Sequence, residues 1–154
     1  MATLQKGDPA PFFSGVNQLG TTVSLSDFTG KKLILYFYPK DNTPGCTAEA
    51  CDLNDNYSFW ISKGYEVVGV SPDNQSSHRK FADKFGLKFN LIADTDLKIL
   101  NDYGVWGEKS MYGKPYMGVL RTTFLIDEKG VITEVFTKVD TKAHTRQITE
   151  TINL

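Results

Sequence analysis

Cysteine and net charge are both scarce in this sequence. Its 154 residues include two cysteines and two histidines, and the formal net charge is −1 with both signs interspersed. Two thiols cannot provide a disulfide framework for a chain of this length, and a balanced surface favours neither nucleic acid nor a membrane as partner. No apolar run approaches the ~20 residues of a membrane span, and the start "MATLQKGDPAPF" lacks the apolar core of a signal peptide. A cytoplasmic location is therefore expected.

What the chain does contain is a globular composition, with 40% hydrophobic and 23% charged residues. This is enough for one domain over residues 1–154 with a hydrophobic core of its own. Short apolar runs closed by turn residues predict strands, and the longer segments that begin with Thr, Asn or Asp predict helices. The predicted strands cover residues 33–38, 65–71, 121–127 and 131–139, and the predicted helices cover residues 43–64, 74–86, 94–104 and 141–154.

This alternation predicts an α/β fold with a central mixed β-sheet and helices on both sides. The last two strands are separated by a short turn and are predicted to form a hairpin. The order of the elements is that of a thioredoxin-like fold with an N-terminal extension. Residues 107–118, which contain glycine and methionine, are predicted to be a long surface loop, and loops of that length are often functional.

The first cysteine lies at a predicted helix start, in the sequence Thr43-Pro44-Gly45-Cys46. Thr is favoured at the N-cap and Pro at the first helical position, which makes Cys46 the third helical residue. The N–H groups of a first turn have no helical partners, and together with the helix dipole they favour a thiolate at Cys46. Gly45 has no side chain and leaves the approach to this turn open. The alternative is that Cys46 is only a small buried hydrophobic residue.

The second cysteine lies five residues further along the same predicted helix. Cys51 is then about 140° around the helix from Cys46, on a more polar flank. The C-x4-C spacing differs from the C-x-x-C of dithiol oxidoreductases, in which both sulfurs meet across one turn. The apolar stripe predicted to face the core contains Cys46, Ala50, Leu53, Tyr57, Trp60 and Ile61.

A metal site is not predicted. Structural zinc usually takes four ligands, and only His78 and His144 could join the cysteines. Neither histidine has a ligand spacing to them, and both are expected to be exposed residues of helices. Asp94 and Asp96 are interpreted as a loop and helix cap rather than a catalytic pair.

The residues around the cysteines resemble those of the peroxiredoxins. "PKDNTPGC" fits the family pattern Pro-x-x-x-Thr-x-x-Cys, with Pro39, Thr43 and Cys46 in place. "CTAEAC", "YGVWGEKSMYGK" and "RTTFLID" are similar to the peroxiredoxin Q group, also called bacterioferritin comigratory proteins, and the resemblance spans nearly the whole chain. It implies a thioredoxin-like fold, the reduction of hydrogen peroxide and organic hydroperoxides, and no metal or organic cofactor.

The resemblance also implies a role for each site residue. Cys46 would be the peroxidatic cysteine, with Thr43 and Arg121 as its activating partners. Cys51 would be the resolving cysteine, forming an internal disulfide with Cys46 during turnover, and Glu49 would support the arginine. Thioredoxin is the expected reductant and a monomer the expected state. The peroxide would be bound by Pro39, Thr43, Gly45, Cys46 and Arg121.

Fast peroxide reduction needs more than an ionised thiol. Lowering a thiol pKa from about 8.5 to about 5.5 raises the thiolate fraction at neutral pH about 30-fold. The accompanying loss of nucleophilicity removes roughly 15- to 30-fold, so fixed donors must also stabilise the departing oxygen. Arg121 offers several N–H groups and a permanent charge. Of the three arginines, it alone enters a predicted buried strand, whereas Arg79 and Arg146 lie in polar helical segments.

Two other functions are compatible with the same fold. A thioredoxin-like disulfide oxidoreductase would act on protein disulfides, although the cysteine spacing disfavours it. A chaperone or binding module would use the fold without the thiols. Consumption of peroxide by the reduced protein distinguishes a peroxidase from a disulfide oxidoreductase. Replacement of both cysteines would leave the activity of a chaperone or binding module intact.

Overall fold

The computed structural model describes residues 4–154 and alternates strands with helices. The strands are β1 (Ser14–Val16), β2 (Thr22–Ser24), β3 (Lys32–Phe37), β4 (Tyr65–Ser71), β5 (Asn90–Ala93), β6 (Trp106–Met111), β7 (Lys114–Val119), β8 (Thr122–Ile126) and β9 (Ile132–Phe136). The helices are α1 (Pro44–Asp55), α2 (Tyr57–Ser62), α3 (Gln75–Phe85), α4 (Lys98–Asp102) and α5 (His144–Ile152), with a 3-10 helix at Leu25–Phe28. Within residues 4–154, no helix has the length and apolar character that a membrane crossing requires.

Seven strands form one mixed sheet in the order β2-β1-β5-β4-β3-β8-β9. Strands β3, β4 and β5 are parallel to one another, because helices connect them. Strand β8 is antiparallel to β3 and forms a hairpin with β9, and at the opposite edge β1 is antiparallel to β5 and forms a hairpin with β2. The predicted mixed sheet and C-terminal hairpin are confirmed. The N-terminal extension adds two short strands that the sequence pattern did not predict.

The two faces of the sheet carry separate cores, since neighbouring strand residues point to opposite sides. Leu35 of β3 packs on one face with Phe28 of the 3-10 helix and Leu100 of α4. Ile34 packs on the other face, which is covered by α1, α2, α3 and α5. Helices therefore lie on both sides, as predicted. The second core includes Leu53, Trp60, Phe81, Ile148 and Cys46.

The predicted helix over residues 43–64 is in fact two helices, α1 and α2, which meet at Asn56. The Asn56 amide donates to the Asp52 carbonyl at 2.8 Å, so the side chain competes with the backbone pattern. At this junction Asn56 departs from helical geometry, with φ of −104° and ψ of 14°. Ile61, which was predicted to face the core, is accordingly 46% exposed, whereas Trp60 is fully buried.

Two further predictions need correction. Residues 107–118 form not a loop but most of the β6–β7 hairpin, which turns at Tyr112 and Gly113 with φ of 52° and 77°. Two successive residues of positive φ make the tight turn that suits a two-residue hairpin. Over residues 94–104 the helix begins only at Lys98, after Leu97 in a left-handed conformation. The interpretation of Asp94 as a cap is confirmed, because its carboxylate accepts the N–H groups of Ile99 and Leu100 at 3.1 and 2.8 Å.

The register of the sheet brings the site together. Strand β8 is antiparallel to β3, with Thr122 opposite Phe37. The residue before β8, Arg121, therefore lies beside the loop that leaves the end of β3 and enters α1 at Pro44.

Candidate active site

The start of α1 confirms the predicted helix start. Thr43 has an extended N-cap conformation and Pro44 occupies the first turn, and helical bonding begins with the Thr47 N–H donating to the Thr43 carbonyl at 2.8 Å. The Thr43 hydroxyl makes no capping bond. It donates instead to the Lys40 carbonyl at 2.8 Å, so it takes up none of the first-turn N–H groups.

Cys46 lies on the side of this first turn that faces the core, and its residue is 1% exposed. Arg121 Nη2 donates to its sulfur at 3.2 Å. A side-chain carbon added to Gly45 would lie 3.3 Å from the same Nη2, so the absence of a side chain at Gly45 gives the guanidinium its space. The contacts thus bring together Gly45, Cys46 and Arg121, three of the residues that the family resemblance implies for the site.

Glu49 holds the other side of the guanidinium. Its Oε1 accepts Arg121 Nη1 at 2.7 Å, and the carboxyl is completely buried. Burial raises the pKa of Glu49 to about 7, although the charge and hydrogen bond of Arg121 oppose the rise. Burial acts to lower the pKa of Arg121, but the charges and hydrogen bonds of Cys46 and Glu49 outweigh it and the net shift is upward. Arg121 is therefore a fixed cation shared by two acidic groups.

His144 lies behind Glu49 and is fully buried, so its prediction as an exposed helix residue is wrong. Its Nε2 is 2.8 Å from Thr123 Oγ1 and its Nδ1 is 2.9 Å from Gln147 Oε1. These partners allow the ring to be buried, and burial lowers the pKa of His144. Nε2 is also 3.7 Å from Glu49 Oε2, an oxygen without a hydrogen-bond partner within residues 4–154.

His78 is also fully buried, against the prediction, because both of its ring nitrogens are satisfied. Nδ1 lies 2.6 Å from Asp41 Oδ2, and Nε2 lies 2.9 Å from the Ile92 carbonyl. Asp41 in turn accepts the Tyr38 hydroxyl at 2.6 Å, and its N–H donates to Asp73 at 2.8 Å. These bonds anchor the loop between β3 and α1.

Asp41, Asp73 and His78 are also the one group with metal-ligand geometry among residues 4–154, their ligand atoms lying within 4.8 Å of one another. Each of these side chains is engaged in the hydrogen bonds of the loop anchor. The group includes neither cysteine.

Cys51 is half-buried, and both cysteines are free thiols. Burial, and secondarily the charge of Asp55, raises the pKa of Cys51. Both cysteines belong to the continuous helix α1, in which Cα atoms five residues apart are roughly 8–9 Å from each other. The structure therefore does not bring the two sulfurs together, since a disulfide needs Cα atoms about 4.4–6.8 Å apart.

Some of these neighbours could not be found from local patterns. The helical spacing of three residues places Glu49 on the same face as Cys46, so its proximity had a signal in the sequence. Thr123 and His144 come from a distant strand and helix. Tyr36 is a fully buried neighbour on β3, and burial raises its pKa well above the usual range, with the charges of Glu49 and Cys46 adding to the effect.

Comparison of the sequence and fold with those of known proteins identifies the family of this chain. Residues 6–135 match the AhpC/TSA family. Peroxiredoxin Bcp of Bacillus subtilis is 43% identical over 150 residues, which cover 97% of this chain and 96% of that protein. A cysteine-to-serine mutant of PrxQ from Xylella fastidiosa has a TM-score of 0.92 at 32% identity, over 99% of this chain and 98% of that one.

A further solved structure is the bacterioferritin comigratory protein of Xanthomonas campestris, described for its alkyl peroxide reduction activity. The superposition has a TM-score of 0.86 at 32% identity, and it covers 95% of this chain and 98% of the Xanthomonas protein. The thioredoxin-like fold is therefore confirmed. The chain belongs to the AhpC/TSA family and is a thiol peroxidase of its peroxiredoxin Q, or Bcp, group.

Proposed function

We propose that Cys46 is the residue that attacks the peroxide. The observation that carries this assignment is the 3.2 Å contact between its sulfur and Arg121 Nη2 at the start of α1, because peroxide attack needs a sulfur with a fixed cation and free first-turn N–H groups beside it. The thiolate attacks one peroxide oxygen and breaks the O–O bond. Cys46 becomes a sulfenic acid, and the other oxygen leaves as hydroxide or alkoxide and takes up a proton to give water or an alcohol.

Arg121, Thr43 and the first turn of α1 would bind the peroxide and stabilise the departing oxygen. The Thr43 hydroxyl already donates its hydrogen to the Lys40 carbonyl, so its oxygen is left to accept the O–H of a hydroperoxide. The N–H groups of Gly45 and Cys46 and the charge of Arg121 supply donors for the oxygen that becomes negative. Pro39 is half-buried at the loop that leads to Thr43 and contributes to the wall of the site.

Cys51 is proposed as the resolving cysteine. Its thiol attacks the Cys46 sulfenic acid, forms the S–S bond and releases water. Because both residues lie on one intact helix, α1 must unwind over at least its first turns before this bond forms. Such a change would dismantle the Arg121 contact, so the enzyme would alternate between a folded reactive form and an opened form that a reductant can reach.

Hydrogen peroxide and organic hydroperoxides are the proposed substrates, and thioredoxin is the proposed reductant. The alkyl peroxide reduction activity of the Xanthomonas campestris relative supports the organic substrates. A dithiol reductant would exchange with the Cys46–Cys51 disulfide and return both thiols to the reduced state.

Two serine variants test these roles. Cys46→Ser is expected to lose peroxide reduction, to less than a few per cent of the wild-type rate, while thermal unfolding shows an intact fold. Cys51→Ser is the matched control in the same helix. It is expected to form a sulfenic acid at the wild-type rate in a single turnover, yet to lose thioredoxin-linked turnover, with mass spectrometry following both sulfurs. Peroxide reduction by Cys46→Ser would contradict the assignment.

A further inference from the structure

Gly45 leaves an open space at the proposed peroxide site. Gly45 and Thr43 are half-buried, and the Arg121 side chain is 23% exposed, whereas Cys46 is almost completely buried. The partly exposed residues beside the sulfur are therefore the ones that an incoming peroxide meets, and the atoms around Gly45 decide which substrates fit there.

The space at Gly45 is in contact with one cationic and one apolar group. A side-chain carbon at Gly45 would lie 3.3 Å from Arg121 Nη2 and 3.9 Å from Thr141 Cγ2, and the next atom is Arg121 Cζ at 4.0 Å. The carbon distance to Thr141 is an ordinary van der Waals contact. Thr141 lies 20 residues beyond Arg121 in the sequence, and no pattern in the sequence connects it with the site.

The segment between β9 and α5 that contains Thr141 is anchored by α5. Gln147 Nε2 donates to the Lys138 carbonyl at 2.8 Å, and Gln147 Oε1 accepts the Asp140 N–H at 2.9 Å. Between these two residues, Val139 packs against the core. Because the chain is fixed directly before Thr141, the backbone holds the methyl group of this half-buried residue beside Gly45.

The chemistry of the reaction decides which part of a substrate comes to this space. The Cys46 sulfur attacks one oxygen of the hydroperoxide, and the departing oxygen is stabilised by Arg121 and the first-turn N–H groups. In an organic hydroperoxide the departing oxygen carries the carbon group, whereas in hydrogen peroxide it carries only hydrogen. The first carbon of an organic substrate is therefore one covalent bond away from an oxygen that Arg121 binds, which brings it close to Gly45 and Thr141.

We propose that Thr141 is a specificity-determining residue, whose γ-methyl group contacts the carbon group of organic hydroperoxides. The proposal rests on the proposed function of Cys46 and Arg121. An apolar contact at this point favours a substrate with an alkyl group, because hydrogen peroxide has no apolar surface to bury against the methyl group. The bonds made and broken are those of the peroxidase reaction, with an alcohol released in place of water.

Two conservative substitutions separate the methyl group of Thr141 from its hydroxyl group. Thr141→Ser keeps the hydroxyl and removes the methyl group, whereas Thr141→Val keeps a methyl group and replaces the hydroxyl by a second one. The second-order rate constant of Cys46 oxidation would be measured by stopped-flow fluorescence, with tert-butyl hydroperoxide and with hydrogen peroxide. This step precedes the reductant, so the rate of recycling does not enter the comparison.

The expected result is a change in the ratio of the two rate constants. In Thr141→Ser, the rate constant with tert-butyl hydroperoxide should fall by about threefold to fivefold, the effect of losing one methyl contact, and that with hydrogen peroxide should not change. In Thr141→Val, the ratio should equal that of the wild type or rise. Thr149→Ser is the matched control, because it removes the same methyl group from a half-buried threonine within α5 and should leave both rate constants unaltered.

Several outcomes would overturn the proposal. An unchanged ratio in Thr141→Ser, or an equal loss with both peroxides, would show that the methyl group does not distinguish the substrates. The same loss in Thr141→Val would assign the effect to the hydroxyl, and the same loss in Thr149→Ser would assign it to a general change in the fold. Failure of the proposed function would appear in a different measurement, as peroxide reduction by Cys46→Ser.

Discussion

At the scale of single residues, the site depends on how close a guanidinium can come to a buried sulfur. The position of Arg121 is set by Glu49 on one side, at 2.7 Å, and by Cys46 on the other, at 3.2 Å. Gly45 leaves room for this arrangement, since an added side-chain carbon would be 3.3 Å from Nη2. A glycine within a helix usually lowers its stability. Here that lower helix propensity goes with the space through which Arg121 reaches the Cys46 sulfur.

Gly45→Ala should therefore separate activity from stability. The added methyl group would displace Arg121 by a few tenths of an ångström, and small displacements of a catalytic group can slow a reaction by one or two orders of magnitude. We expect sulfenic acid formation to fall by about tenfold or more, measured by stopped-flow fluorescence. Unfolding in urea should show unchanged or higher stability, by up to about 1 kcal/mol.

Ala48→Gly provides the reverse control in the first half of the same helix. It should lower the stability by about 1 kcal/mol while leaving the rate of sulfenic acid formation unaltered. If Gly45→Ala is as fast as the wild type, the close approach at Gly45 does not matter for the reaction.

At the scale of elements, α1 and α5 depend on each other. Helix α5 has no side-chain cap of its own at Ala143. Its Thr145 N–H donates instead to the Asp52 carboxylate of α1 at 2.7 Å, and its Thr145 hydroxyl accepts Trp60 Nε1 of α2 at 3.2 Å. Unwinding of α1 to join Cys46 and Cys51 would remove the Asp52 contact, so α5 should respond to the redox state although it holds no cysteine.

Amide hydrogen exchange can follow this coupling. Residues 45–53 should exchange slowly in the reduced protein and much faster in the disulfide form. The first turn of α5 should also exchange faster on oxidation, by about fivefold, the effect of losing a helix cap of about 1 kcal/mol. Equal protection in both redox forms, with the internal disulfide confirmed by mass, would contradict the unwinding of α1.

Asp52→Ala should reproduce the effect on α5 without oxidation. In the reduced variant, we expect the first turn of α5 to exchange about as fast as in the wild-type disulfide form, because the same cap is missing. Asp55→Ala is the control, since it removes an equal charge from α1 and leaves the Thr145 contact in place. Faster amide exchange in α5 in both variants would mean that the lost charge, rather than the lost helix cap, causes the effect.

At the scale of the whole molecule, the sequence predicts the elements that have a strong local pattern. It does not predict short strands or the burial of polar residues, which depend on tertiary contacts. The buried runs of β3 and β4 and the Thr-Pro-Gly-Cys helix start were predicted nearly residue for residue. β5 has only four residues, and β1 and β2 only three each, which is too short for a clear pattern. His78 and His144 looked exposed because their partners, Asp41 and Thr123, lie more than 20 residues away in sequence.

Buried titratable groups also make the stability of the whole fold depend on pH. The pKa of Glu49 rises from 4.5 to about 7 on burial, so between these values the folded protein binds more protons at this site than the unfolded chain. Stability must then decrease as pH rises through this range. Burial lowers the pKa of His144 below 6.5, which acts in the opposite direction, so the contribution of Glu49 can be measured only against a variant that lacks it.

Glu49→Gln is that variant, because the amide keeps the shape of the side chain and does not titrate. The free energy of unfolding of both proteins would be measured with urea under reducing conditions from about pH 4.5 to pH 7. The stability of the wild type relative to Glu49→Gln should fall across this window, with a slope that approaches about 1.4 kcal/mol for each pH unit at its middle. Parallel stability curves would mean that Glu49 ionises equally in the folded and unfolded chain, and a difference that grows with pH in favour of the wild type would mean that the Arg121 pair outweighs the burial.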